Sequence, residues 1–334
     1  MREFFVQKAF RKNIFLLRKG NQFMKIRGSI EKINPLYSLY VLVGLLCLAL
    51  PFRTYQLLRL VENNTGFYRE INWSVYLMYA LCILAVLVPY VLTTLAKNVP
   101  ESRAVYGKNK VLAVSAFVFG AGLVADAVSP ISTLVMNSPF LSTGETSPVL
   151  MALQGAFAVL GAIYIFVFGI SYIDGKTRYS RYKLLALCPL VWSVARLVIR
   201  FVKKISYVNV SDLMLELFAI VFMMLFLLSF ARISSGLSNK KSMRSLWASG
   251  FAAAFFCAVA NVPRLLMVIT ANGNSLNEEY PFALCDLGFA FFAICYIVNS
   301  MKTAQNNDAS EFLEETEEDI SPITEISDMV DEEV

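Results

Sequence analysis

Eight long apolar stretches divide this chain, and no other feature limits its possible folds so strongly. They run over 36–58, 73–95, 111–135, 148–171, 184–203, 212–233, 246–270 and 280–300. A helix rising about 1.5 Å per residue crosses the roughly 30 Å hydrocarbon core of a bilayer in about 20 residues. No water reaches the backbone there, so a spanning segment is a helix or part of a closed barrel. The runs are continuously apolar rather than alternating, which selects helices. Composition agrees: 57% of the 334 residues are hydrophobic and 16% charged, against about half and a quarter in soluble domains. The expected fold is all-α, a polytopic membrane bundle of eight transmembrane helices within 36–303. A basic lead-in over 1–35 precedes it and an acidic tail over 304–334 follows.

Basic residues alternate from loop to loop. Residues 1–35 carry Arg2, Lys8, Arg11, Lys12, Arg18, Lys19, Lys25, Arg27 and Lys32. The even loops carry Lys97, Arg103, Lys108 and Lys110, then Lys176, Arg178, Arg181 and Lys183, then Arg232, Lys240, Lys241 and Arg244. The loops between them hold only Arg69, Lys203 and Lys204. The excess of Lys and Arg on the cytoplasmic side predicts a plasma-membrane protein with both termini in the cytoplasm. The fifth stretch, with Arg196 and Arg200, is the least apolar. Dropping it would move Lys240, Lys241 and Arg244 outside and break the charge rule more severely, so eight spans are retained. No cleavable signal peptide is expected, and the first span is read as the targeting element. Asn-x-Ser/Thr triplets begin at Asn63, Asn72 and Asn209, all in predicted outer loops, where chance or glycosylation accounts for them.

The two ends read differently. Val6, Phe10, Ile14 and Leu17 recur at helical spacing among the bases of 1–20, the pattern of an amphipathic helix on anionic lipid. The alternatives are a disordered basic lead-in, or a native start at Met24 that leaves an ordinary short lead-in. The tail crowds acids from Asp308 to Glu333 with almost no aromatics, which predicts disorder. Ile320, Ile323, Ile326 and Met329 are spaced by three, so a short helix could fold onto a cytoplasmic protein.

The chemistry lies in a charged layer. An ionisable side chain at the centre of a spanning helix costs about 2.5–3.5 kcal/mol on insertion scales. Arg53, Asp126, Arg196 and Arg264 nevertheless sit late in the odd spans, at separations of 73, 70 and 68 residues. Glu216 and Asp286 sit early in even spans, with Gln154 at the matching place in span four. Alternating direction then places all seven at one depth, about 10 Å below the outer surface at the helical rise. Three arginines face three carboxylates. Gln56, Ser129, Ser193 and Asn261 lie three residues from charged members and share their helical faces. Pro51, Pro130 and Pro263 flank the layer and predict bends. The separations of about 70 residues, with a weak likeness among Leu153–Ala158, Leu215–Ala219 and Cys285–Ala290, suggest four repeated helical hairpins.

Several function classes drop out. Histidine is absent, which removes His-based metal sites and Ser-His triads. No GxGD, GxSxG or P-loop occurs, so no enzyme, cofactor, metal site or nucleic-acid partner is expected. The six cysteines all fall within spans and read as small hydrophobes. Two readings stand. In the first, Arg53, Asp126, Gln154, Arg196, Glu216, Asn261, Arg264 and Asp286 line the binding site of a carrier for a small charged solute. In the second, the protein is a receptor-like or accessory membrane component. Its charged layer is then a structural ion-pair network, and its acidic tail docks a cytoplasmic partner.

Overall fold

Helices form wherever the apolar runs predict them, because only a helix satisfies every backbone group within its own segment. The structure, a computed structural model, describes residues 36–61, 68–70, 72–96, 99, 108–136, 147–176, 178–202, 210–237, 239–270 and 283–303. The basic lead-in, the acidic tail, Asn63, Asn209, Pro281, Lys203 and Lys204 lie outside these residues. The helices are α1 Tyr37–Tyr55, α2 Trp73–Leu95, α3 Lys110–Met136, α4 Pro148–Asp174, α5 Cys188–Val202, α6 Val210–Ser234, α7 Lys240–Ile269 and α8 Leu284–Thr303. All eight stretches are long and apolar enough to cross a membrane, and no strand occurs among the described residues.

Several expected boundaries need correction; α8, for one, runs Leu284–Thr303 rather than 280–300. A π-helical turn, Gln56–Leu60, extends α1, and a 3-10 turn, Leu185–Leu187, leads into α5. α6 begins at Val210, two residues earlier than expected, which brings Asp212 inside the helix. α7 begins at Lys240 rather than 246, because Lys240, Lys241 and Arg244 are good helix formers and continue the turn into the headgroup region. Pro148 opens α4 at its first turn, where its missing N–H is harmless. Pro51, Pro89, Pro130 and Pro263 lie inside helices, as the sequence suggests.

Two helices are central. Burial covers 67% of the apolar window of α7 and 61% of that of α8, against 28% for the segment containing α1. α6, α1 and α2 pack on α7, and α3 packs along α4. Lipid tails are as apolar as Leu, so close packing has to hold such helices together. Glycine permits the closest approach. A Cβ on Gly122 of α3 would stand 2.8 Å from the Cys285 Cα of α8, and one on Gly288 of α8 would stand 3.1 Å from the Val118 carbonyl oxygen of α3. A Cβ on Gly250 would meet Ile297 of α8 and Phe226 of α6, so the Gly250 face serves packing within the bundle. Phe168, Phe226, Phe230, Phe289, Phe292 and Tyr296 fill the centre edge to face, with centroid distances such as 5.3 Å for Phe226–Phe289. Trp247 donates to the Ser300 hydroxyl at 2.8 Å, which satisfies a buried indole between α7 and α8.

The outside is built for lipid. Val43, Leu48, Ile83, Leu87, Val114 and Ile163 are all exposed. Exposed aromatics gather at both ends: Tyr55, Trp73 and Tyr76 at one, Tyr37, Tyr40 and Tyr90 at the other. Such rings favour the membrane–water interface. Lys108, Lys110, Lys176, Arg181, Lys240 and Lys241 lie at helix ends on the Tyr37 side, away from the charged layer. All six cysteines are free thiols, and Cys188, Cys257 and Cys285 are buried.

Candidate functional site

The layer expected from alternating helix direction is a set of direct contacts. Arg53 comes near the end of α1 and is 1% exposed. Its guanidinium pairs with Asp212 near the start of α6 and donates to Tyr68 at 3.0 Å and to Gln56 at 3.2 Å. Gln56 lies on the π-helical turn and donates its amide to the Ser74 carbonyl of α2 at 2.9 Å. The short bridge between Val61 and Tyr68 brings the Tyr68 hydroxyl over Arg53. Arg264 of α7 reaches the same Asp212 carboxylate at 3.6 Å. One acid therefore ties α1 and α7 to α6.

One turn further along α6, Glu216 takes up the next group. Arg200 of α5 donates to it, and Arg196 approaches at 4.0 Å. Arg196 grips Asp286 of α8 with both terminal nitrogens, the second bond at 3.0 Å. A two-pronged guanidinium–carboxylate pair fixes orientation as well as charge. The Trp192 ring lies under the Arg196 guanidinium at 5.7 Å, a cation–π contact. Asn261 of α7 holds the start of α8. Its carbonyl oxygen accepts from the Ala283 N–H at 3.1 Å, and its amide donates to Asp286 at 3.3 Å and to the Cys257 carbonyl at 3.1 Å.

Asp126 of α3 completes the set. The Trp192 indole donates to it at 2.8 Å and the Gln154 amide of α4 at 3.0 Å. This carboxylate is half-buried and held by neutral donors, and its field adds to those of Asp286 and Glu216 around Arg196. Ser74 represents α2, so every helix of the bundle contributes to the layer. These contacts need the side chains at one level, and helix direction explains why: each member falls late in an odd helix or early in an even one.

All eight sequence-predicted residues lie in this layer. The structure joins Arg196, Glu216, Asn261 and Asp286 directly, and joins Asp126 to Gln154. Arg53 and Arg264 meet through Asp212, which the sequence reading had passed over. The expected balance of three against three is corrected to four against four, by adding Asp212 and Arg200. Asp212 stood at a predicted helix boundary, where an acid reads as an end charge. Its spacing of four from Glu216 was the available signal. Arg200 lies near the end of its span, where a charge reads as interfacial, yet its spacing of four from Arg196 puts both on Glu216. Trp192 reads as apolar until its indole N–H has a partner, and Tyr68 comes from a loop. Ser193 donates to the Leu190 carbonyl of its own helix rather than to a charged member of the layer.

The chemistry of the layer is charge neutralisation between helices. Asn261 and Asp286 are each 2% exposed, Arg264 5%, and Asp212 and Glu216 8%. Burying one such charge alone is prohibitive, and a carboxylate within reach makes it tolerable. The α1–α2 side of the layer is also shallow. Arg53 is two residues from Tyr55 and Ser74 is beside Trp73, level with exposed interfacial aromatics, where a charge costs less than at the midplane. No family model matches the chain, nor does any curated protein or any solved structure.

Proposed function

We propose that this multi-pass membrane protein is a receptor-like or accessory component, and that its charged layer is an ion-pair clasp holding the helix bundle together. One observation carries this reading. The four arginines of the layer each meet a carboxylate on a different helix, and those side chains close on one another. A carrier for a small charged solute needs these groups turned towards the solute, near the midplane. Here they are spent on each other and lie towards one end. The proposal involves no catalytic step or cofactor. It places the basic helix ends and the acidic tail in the cytoplasm of a plasma-membrane protein, where the tail's acids and its Ile320–Met329 register suit a protein partner. The four-hairpin repeat belongs to the same reading, since each hairpin supplies at least one charge to the clasp.

Cys285 tests the reading, because it adjoins Asp286 and is 3% exposed. In a variant keeping Cys285 as its sole cysteine, a membrane-impermeant maleimide applied from either side of proteoliposomes should label nothing until the protein is unfolded. Labelling as fast as that of a cysteine placed at position 65 would reveal a water-filled cavity among the charges and return the protein to the carrier class.

A further inference from the structure

At the opposite end of the bundle, α2 and α6 both pack on α7, and a cleft of about 410 Å³ opens over α7 between them. Its size falls in the range of small-ligand sites, about 300–1,000 Å³. Its walls are apolar at depth, with Val86, Phe222, Leu225 and Ala248, while Tyr90 and, in the first turns of α7, Lys241 and Arg244 stand at its mouth. Arg244 bonds to the Ala96 carbonyl through one terminal nitrogen at 3.4 Å. Its Nε is buried and meets no acceptor among the described residues. No carboxylate of the described residues pairs with Lys241 or Arg244.

That combination differs from the ion-pair layer. There every arginine meets a carboxylate; here a guanidinium and an ammonium flank an apolar slot without one. A buried donor left unpaired is costly, so an anion is the natural complement. The slot lies at the ends of α2 and α7, beside exposed Tyr90, at the level where lipid headgroups begin. Leu225, itself exposed, turns the deeper part of the cleft towards lipid. A larger shelf of about 660 Å³ beside Lys176, Arg178 and Arg181 is also basic, but there Arg178 already has Asp174 at 2.9 Å.

We propose that the cleft between α2, α6 and α7 is a binding site for an anionic phospholipid. The phosphate sits between Arg244 and Lys241 and accepts from the Arg244 Nε–H. One acyl chain runs inward along Val86, Phe222 and Leu225. Basic pockets between spanning helices are known to take acidic headgroups, and here the apolar throat adds a requirement for a chain.

The test is native mass spectrometry of the purified full chain, incubated with an equal mixture of phosphatidylglycerol and phosphatidylcholine. Unfolding temperature is read in parallel. Wild type should retain phosphatidylglycerol over phosphatidylcholine by about thirty-fold, the effect of two basic contacts of ordinary strength. Lys241→Gln with Arg244→Gln should abolish that preference. Ala248→Trp keeps both cations but fills the throat, and it should abolish retention too. Retention that ignores either variant, or equal retention of the two lipids, overturns the proposal. So does heat protection by inorganic phosphate matching that of phosphatidylglycerol, which would assign the cleft to a free anion. A preference that emerges only after residues 306–334 are deleted would assign the cleft to the acidic tail and overturn it as well.

Discussion

Asp212→Ala should lower the stability of the bundle by about 3–5 kcal/mol, the loss found when one partner of a buried ion pair is removed. The size of the effect follows from what is left behind. Asp212 faces both Arg53, which is 1% exposed, and Arg264, which is 5% exposed. Without it the Arg53 guanidinium keeps only the neutral oxygens of Gln56 and Tyr68, Arg264 loses its nearby carboxylate, and α1 loses its ionic tie to α6. Asp212→Asn should fall nearly as far, since it keeps the shape and removes the charge. Arg178→Ala removes an exposed helix-end pair and should change stability by less than about 0.5 kcal/mol. Unfolding in lipid nanodiscs, followed by the three tryptophans, orders these variants. A small loss for Asp212→Ala would mean that water already solvates the two arginines.

The second large effect concerns packing. Gly122→Val should cost at least about 1–3 kcal/mol, the usual penalty for forcing extra carbon into a filled interior. The first added atom would stand 2.8 Å from the Cys285 Cα, and a backbone atom cannot swing aside as a side chain can. α3 and α8 would have to part near Asp286, so the loss should couple to the clasp. Gly44 is the control, because a Cβ there meets nothing within 4 Å and Gly44→Val should be nearly neutral. The same unfolding measurement separates the two, and equal losses would show that the α3–α8 contact is loose.

Much of this architecture is legible in the chain. Continuous apolar runs specify helices because lipid offers the backbone no alternative, and loop charge orders their ends. The level of the layer follows from helix direction alone: a residue late in an odd span and one early in an even span lie at the same end. Pairing is another matter. That Arg196 takes Asp286 while Arg53 takes Asp212 depends on which helices adjoin, and α7 and α8 occupy the centre for reasons of glycine and aromatic packing that periodicity does not reveal. Asp212 and Arg200 were missed because ends of apolar runs blur by several residues, and a charge near an end looks solvated. Their spacing of four from Glu216 and Arg196 marks them as second rungs on the same faces.

The clasp itself is best tested by a double-mutant cycle on Arg196 and Asp286, using Arg196→Met, Asp286→Leu and the two combined. Each single change should cost about 3–5 kcal/mol, because it strands one buried charge. The combined change should return to within about 1 kcal/mol of wild type, as apolar replacements of buried pairs often do. Glu216 would still hold Arg200, and Asn261 would still hold the Cys257 carbonyl and the Ala283 N–H. Losses that are small for each single change and simply add in the double would contradict the account, since charges that ignore each other are facing water.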